Sequence, residues 1–126
     1  MKFLKQLMML ACCVLFAAAC TPKQTTVELQ LPENPSVQTL FAAEHLTAAL
    51  QAAGHEVVAS DGEQVVRLAL DANADLKKEG FRIESTDTTI AVTGKDANGL
   101  LYGCRELIDR MEAEGKLSAP DRKSVV

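Results

Sequence analysis

Apolar and polar residues alternate in several short stretches of the chain, which is the pattern of strands with one buried face. The first stretch, 27–31, sets Val27, Leu29 and Leu31 against Glu28 and Gln30. Further strands are predicted at 56–59, 65–70, 80–85 and 89–93, separated by the turn-forming sequences Asp-Gly, Asn-Ala-Asp and Thr-Asp-Thr. The last two strands are predicted to form a hairpin.

An alanine-rich segment after the first strand is predicted to form a helix. Asn34 offers an N-cap, Pro35 suits the first helical position, and Gly54 suits the C-terminal cap. One face of this helix is apolar and is predicted to be core: Ala42, Ala43, Leu46, Ala49, Leu50 and Ala53. The small alanines permit close packing of the helix against a sheet.

A second helix is predicted between a capping Asp96 and a terminating Gly115. Its apolar stripe has the spacing i, i+4, i+7, i+8, i+11 and consists of Leu100, Cys104, Leu107, Ile108 and Met111. Gly99 and Gly103 near the helix start would let the backbone approach the sheet or another domain closely. Tyr102 projects opposite the stripe.

The element order is therefore β-α-β-β-β-β-α. This order predicts the α+β fold class, with a mainly antiparallel sheet that carries both helices on one side. The folded domain is expected to span residues 27–117.

The amino terminus has the order of an export signal. Lys2 and Lys5 precede an apolar run, 7–16, and three alanines precede Cys20. An Ala-Ala-Ala-Cys sequence resembles the bacterial lipobox, in which the cysteine sulfur receives diacylglycerol, although Ala17 stands where leucine is usual. The prediction is a signal peptide, 1–19, lipidation at Cys20 and a tether, 20–26. The lipid would anchor the domain to the bacterial cell envelope, on the periplasmic side or the cell surface, and in the outer membrane if the cell is Gram-negative. The alternatives are a cleaved secreted protein or a short membrane anchor.

Composition argues against two functions, nucleic-acid binding and catalysis by a cysteine nucleophile. Without its signal the chain has eleven basic and seventeen acidic residues and no tryptophan, so we expect no nucleic-acid partner. Cys12 and Cys13 would leave with the signal, which leaves Cys104 as a buried apolar residue rather than a nucleophile.

No catalytic residue, metal site or cofactor is predicted. His55 and Glu56 begin a zinc-protease pattern, His-Glu-x-x-His, but Ala59 stands where the second histidine is required. The acidic residues are expected to be solvated, without the apolar surroundings that raise the pKa of a general acid.

Three segments carry a resemblance to a known family: Glu-Gly-Phe-Arg-Ile-Glu at 79–84, Thr-Ile-Ala-Val-Thr-Gly at 89–94, and Asp-Ala-Asn-Gly-Leu-Leu-Tyr-Gly at 96–103, followed by Leu107. They resemble the small amino-terminal domain of bacterial glycoside hydrolases, above all β-N-acetylhexosaminidases and α-glucuronidases. The resemblance implies a zincin-like fold beside a (β/α)₈ barrel that holds the catalytic carboxylates. A barrel needs about 250 residues, so the resemblance implies a non-catalytic domain whose partner is a barrel missing from this chain. Gly99, Tyr102 and Gly103 are its candidates for domain packing.

The tail, 118–126, is expected to be polar. Its last six residues, 121–126, resemble the translation of a common sequencing adapter, which implies an assembly fragment; an ordinary polar tail is the alternative. The expected function is therefore that of an accessory domain from a truncated, lipid-anchored glycoside hydrolase of carbohydrate degradation. The alternative is a complete small lipoprotein that binds glycan or a protein partner through its exposed sheet face.

Overall fold

The fold is α+β, as predicted, in a computed structural model that describes residues 24–117 and 124–125. Its elements are β1 (Thr25–Gln30), α1 (Val37–Ala52), β2 (His55–Val58), β3 (Gln64–Leu70), β4 (Phe81–Ser85), β5 (Thr89–Gly94), α2 (Ala97–Glu114) and β6 (Ser124–Val125). The predicted signal, Cys20 and most of the tail lie outside the described residues. Two residues of the predicted tether, Thr25 and Thr26, belong to β1.

The sheet is mixed, so the expectation of a mainly antiparallel sheet is wrong. Its strand order is β2-β1-β3-β5-β4-β6. β1 runs parallel to β2 and to β3, and β3 runs parallel to β5. β4 is antiparallel to both β5 and β6, which confirms the predicted hairpin of β4 and β5.

The link between β2 and β3 explains the parallel pairs. β2 pairs with the first part of β1 and β3 with the later part, on opposite sides of it, so the link crosses β1. The Gly62 amide donates to Glu28 Oε1 at 3.4 Å and the Glu63 amide donates to Thr26 Oγ1 at 2.9 Å. A Cβ at Gly62 would collide with the main chain of Glu28. The sequence Asp61-Gly62 suggests a hairpin turn, but in this fold it lies in the link that crosses β1.

Both helices lie on one face of the sheet, as predicted, and form a single core with it. The sheet contributes Val27, Val66, Leu68, Phe81, Ile83, Ile90 and Val92, and the helices contribute Ala42, Ala43, Leu46, Leu50, Leu100, Cys104, Leu107 and Met111. Burial of these side chains is the main source of stability. The opposite face of the sheet has no helix over it in the part of the chain described.

The helix ends follow local sequence signals. α1 begins after Ser36, whose Oγ accepts a hydrogen bond from the Thr39 amide at 3.1 Å, so the predicted cap at Asn34 is wrong. Asn34 instead adopts a left-handed turn conformation with φ 49°. Asp96 and Gly115 cap α2 as predicted.

Candidate docking surface on the two helices

The three residues predicted for domain packing lie on two different sides of α2. Gly99 and Gly103 face the sheet and are buried. A Cβ at Gly99 would collide with the carbonyl oxygen of Gly80, and one at Gly103 would lie 2.6 Å from Val92 Cγ1. The glycines thus serve packing inside the domain, whereas Tyr102 is 49% exposed on the outer side of the helix.

The Asp96 carboxylate fixes the position of α2 and therefore of Tyr102. It accepts hydrogen bonds from the Gly99 amide at 2.8 Å and from the Glu79 amide at 2.9 Å. The first of these bonds, and then the second, hold the pKa of Asp96 below its ordinary value. Asp96 thereby joins the start of the helix to the residue that precedes Gly80 and β4.

A groove of about 620 Å³ runs between the outer sides of α1 and α2. Its floor is made of small and apolar side chains from both helices, Ala48, Ala49 and Ala52 from α1 and Leu101, Cys104 and Ile108 from α2. Charged residues of α2 line it as well: Arg105, Asp109 and Glu112. This combination of an apolar floor and charged residues is typical of a protein-binding surface.

Aromatic side chains stand at one end of this groove. Phe41 is 53% exposed and its ring centroid lies 4.3 Å from that of His45. Tyr102 reaches the same groove from α2. Val37, on the first turn of α1, is 81% exposed and extends the apolar surface along that helix. We call Val37, Phe41, Tyr102 and the groove residues the helix surface.

The α1 part of the helix surface was not predicted from the sequence. The signal for it was present, because Val37, Leu40 and Phe41 lie off the alanine-rich face and α1 contains one charged residue, Glu44, apart from His45. A helix that is apolar on more than one side has a second surface to bury.

The one cysteine of the groove is buried rather than reactive. Cys104 is 1% exposed, and burial raises the pKa of its thiol to about 12, which suppresses the nucleophilic thiolate. No group of three metal-binding His, Cys, Asp or Glu side chains occurs among residues 24–117 and 124–125. His55 begins β2 and is not on a helix. In the same described ranges no helix has the length and apolarity needed to cross a membrane.

Comparison with known proteins gives one family. The sequence model of the family glycosyl hydrolase family 20, domain 2, matches residues 15–122 of this chain. A search of curated proteins finds no match.

Solved structures share the fold. A GH138 enzyme targeting pectin rhamnogalacturonan II is 30% identical with a TM-score of 0.68, over 79% of this chain and 15% of that one. A GH20 β-N-acetylhexosaminidase from Streptomyces coelicolor A3(2) is 25% identical with a TM-score of 0.50, over 81% of this chain and 20% of that one. A GH115 4-O-methyl-α-glucuronidase, 15% identical with a TM-score of 0.57 over 82% and 18% of the two chains, shows the fold alone. The chain thus spans about a fifth or less of these structures.

Proposed function

The chain belongs to the family glycosyl hydrolase family 20, domain 2, and from this premise we propose that it is the non-catalytic, lipid-anchored amino-terminal part of a longer glycoside hydrolase. Membership of the family makes it a glycoside hydrolase accessory domain. The proposal adds that the domain supports a catalytic domain later in the same chain, and that Cys20 holds the whole protein at the cell envelope for carbohydrate degradation.

The observation that carries the proposal is the helix surface. A monomeric domain seldom leaves an apolar groove flanked by exposed Val37, Phe41 and Tyr102 facing water. Domains of one chain commonly meet over surfaces of this mixed apolar and polar character. Because the chain spans 15 to 20% of the structures it resembles, the occupant we propose is a downstream domain of the same chain.

Sequencing the gene beyond the codon for Pro120 is the first test. We expect the reading frame to continue into a domain large enough to be a barrel, roughly 250 residues. A stop codon directly after Val126 in the genomic sequence would contradict the proposal and favour the small lipoprotein that binds a glycan or protein partner.

A variant of the longer protein tests the docking itself. Replacing both Phe41 and Tyr102 with Ser should lower the melting temperature of the downstream domain and expose the interdomain link to protease, because two apolar side chains leave the interface. The matched control is Glu56→Ser, an exposed position on the open sheet face, and it should behave like the parent. Equal melting and cleavage of all three proteins would refute docking through the helix surface.

The non-catalytic part of the proposal rests on the carboxylates. A glycosidase acid needs a raised pKa and a partner carboxylate at a fixed separation. The carboxyl groups whose pKa shifts most clearly in the described part of the chain, Glu28 and Asp96, shift downward, because the Gln30 side chain and the Gly99 amide respectively donate to them. The purified chain should therefore hydrolyse neither aryl N-acetylglucosaminides nor aryl glucuronides. Turnover above a mock purification would contradict this.

Lipid anchoring is tested at Cys20. Cys20→Ser should abolish incorporation of a fatty-acid analogue, because a serine hydroxyl does not replace the thiol that receives the lipid. Ala18→Ser, two residues away, keeps a small residue and the thiol and should be labelled normally. Equal labelling of Cys20→Ser and the parent would remove the lipid anchor from the proposal.

A further inference from the structure

The groove between α1 and α2 continues beyond its 620 Å³ cavity towards the carboxyl ends of both helices. A second cavity, of about 180 Å³, lies where the two helices end. Its lining residues are Ala49, Ala52, Ala53, Met111, Glu112 and Gly115. Three of them, Ala49, Ala52 and Glu112, also line the larger cavity. The two cavities therefore form one groove that follows most of both helices.

The two helices that form the groove run in the same direction. β1, β3 and β5 are parallel to one another, α1 follows the carboxyl end of β1, and α2 follows that of β5. Both helices therefore start at the same edge of the sheet, and the aromatic end of the groove lies near their starts. From Phe41 to Ala53 the groove extends about 18 Å, which is the length of about twelve helical residues.

The walls of the groove offer an occupant no main-chain hydrogen bonds. Main-chain amides and carbonyls in the middle of α1 and α2 are bonded within each helix. The floor side chains, such as Ala48, Leu101 and Ile108, are hydrocarbon. A segment that leaves water in this groove must therefore satisfy its own main-chain groups. An α-helix does so by itself, whereas an extended strand or a loop does not.

The size of the side chains along the groove also suits a helix. Ala48, Ala49 and Ala52 let another helix approach α1 closely, because the distance between packed helix axes, about 8 to 10 Å, depends on the side chains at the contact. At the other end, the half-exposed rings of Phe41 and Tyr102 leave less room. The occupant that fits has its larger apolar side chains over the alanines and its smaller ones beside the rings.

Glu112 gives the groove a preference for positive charge. It lines both cavities and has no hydrogen bond or ion pair among residues 24–117 and 124–125. Asp109, by contrast, has the Arg105 Nε 3.9 Å from its Oδ1. The carboxyl ends of both helices lie near Glu112 and add partial negative charge. A lysine or arginine of the occupant is therefore favoured beside Glu112.

We propose that the groove binds a single amphipathic α-helix of about twelve residues, with an apolar face towards the groove and one basic side chain against Glu112. The proposal rests on the docking role of the helix surface and names the kind of element that docks there. Recognition is of the helix-in-groove type, in which apolar anchors supply the affinity. The charge beside Glu112 fixes the register of the occupant.

Peptide binding to the isotope-labelled chain of 126 residues tests the helical occupant. The probes are helix-stabilised peptides of about twelve residues, with alanine and leucine on one face and a single lysine that moves by one position from peptide to peptide. We expect at least one of them to shift the amide resonances of Ala48, Ala52 and Ile108 and to leave that of Arg67, on the open sheet face, in place. The matched control has the same composition with a central proline, which breaks the helix, and should bind at least about tenfold more weakly.

A charge exchange tests the position of the basic side chain. Glu112→Lys should weaken the best lysine peptide by about fivefold, and replacing that lysine with glutamate should restore binding to the variant. Glu114→Lys makes the same change of charge on the same helix but outside both cavities. It should leave the affinity of the lysine peptide close to that of the parent.

Three results would overturn the proposal. One is a peptide set that shifts no resonance of the groove, and another is equal binding by the proline control. The third is a dimer of the chain that Phe41→Ser dissociates in sedimentation, because a second copy would then occupy the groove. If the peptides fail while the longer protein still needs Phe41 and Tyr102 for docking, the docking role stands and the helical occupant is wrong. If both tests fail, the docking role is wrong as well.

Discussion

The two helices have similar lengths but divide their surfaces differently. α2 carries a narrow apolar stripe that lies in the core, and most of its remaining surface is charged. α1 buries Leu46 and Leu50 in the same core but also exposes Val37, Leu40 and Phe41. α2 leaves one large hydrophobic side chain, Tyr102, exposed, whereas α1 leaves three. The surplus on α1 is what indicates a partner.

The inner and outer sides of the helices have different roles, the first in folding and the second in docking. On the inner side of α2, contacts with the sheet and with Gly80, the residue before β4, are so close that glycines are required at two positions. On the outer sides of α1 and α2, the side chains meet across an open groove. Substitutions on the inner side should therefore change the stability of the isolated domain, and those on the outer side should change association with a neighbouring domain.

The largest effect is expected at the centre of the α2 stripe. Leu107 is 0% exposed, so Leu107→Ala should lower the free energy of unfolding by about 2 to 5 kcal/mol through lost burial and a cavity. Urea melts measure this change. A melt that matches the parent would show that the stripe is not the core.

A smaller loss is expected where α2 touches the main chain of the segment before β4. Gly99→Ala places a methyl group against the Gly80 carbonyl oxygen, and the required shift should cost about 1 to 3 kcal/mol in urea melts. Asn98→Ala introduces alanine at the exposed neighbouring position, where it removes an exposed hydrogen bond to Glu79 Oε1 of 3.3 Å, and is the matched control. Similar stability of the two variants would contradict the close approach.

The cap of α2 gives a pH-dependent effect. The pKa of Asp96 is lowered in the folded chain by the amides of Gly99 and Glu79, so its contribution is present above the ordinary aspartate pKa and is lost as pH falls through the lower, folded value. Stability measured by urea melts should therefore decline below about pH 4. Asp96→Asn keeps a capping oxygen but does not titrate, and its decline in acid should be shallower than in the parent. Identical profiles would exclude this role for Asp96.

The smallest effect on the isolated domain is expected on the helix surface. Phe41→Ala and Tyr102→Ala should each change the free energy of unfolding by about 0.5 kcal/mol or less, because half of each side chain already lies in water. Large destabilisation by Tyr102→Ala alongside a silent Leu107→Ala in the same urea melts would reverse the assignment of inner and outer faces.

Local patterns predicted most of the elements correctly. The sequence predicted the apolar stripe of α2, its cap at Asp96 and its end at Gly115, because capping and helical periodicity depend on residues within a few positions of one another. It predicted the β4–β5 hairpin for the same reason. The cap of α1 was assigned to Asn34 instead of Ser36, since both residues can accept the hydrogen bond and the sequence offered no way to choose between them.

The sequence by itself determined the α+β class, the order of the elements as far as α2 and the resemblance that led to the glycoside hydrolase family; it did not predict β6. Only the tertiary structure decided the direction of the strands, because Asp61 and Gly62 are equally compatible with a hairpin and with a crossing over β1, and the choice depends on contacts with Glu28 and Thr26 more than thirty positions away. The same holds for the helix surface. Which apolar residues of α1 remain in water depends on where α2 and the sheet lie against it, and no local pattern contains that information.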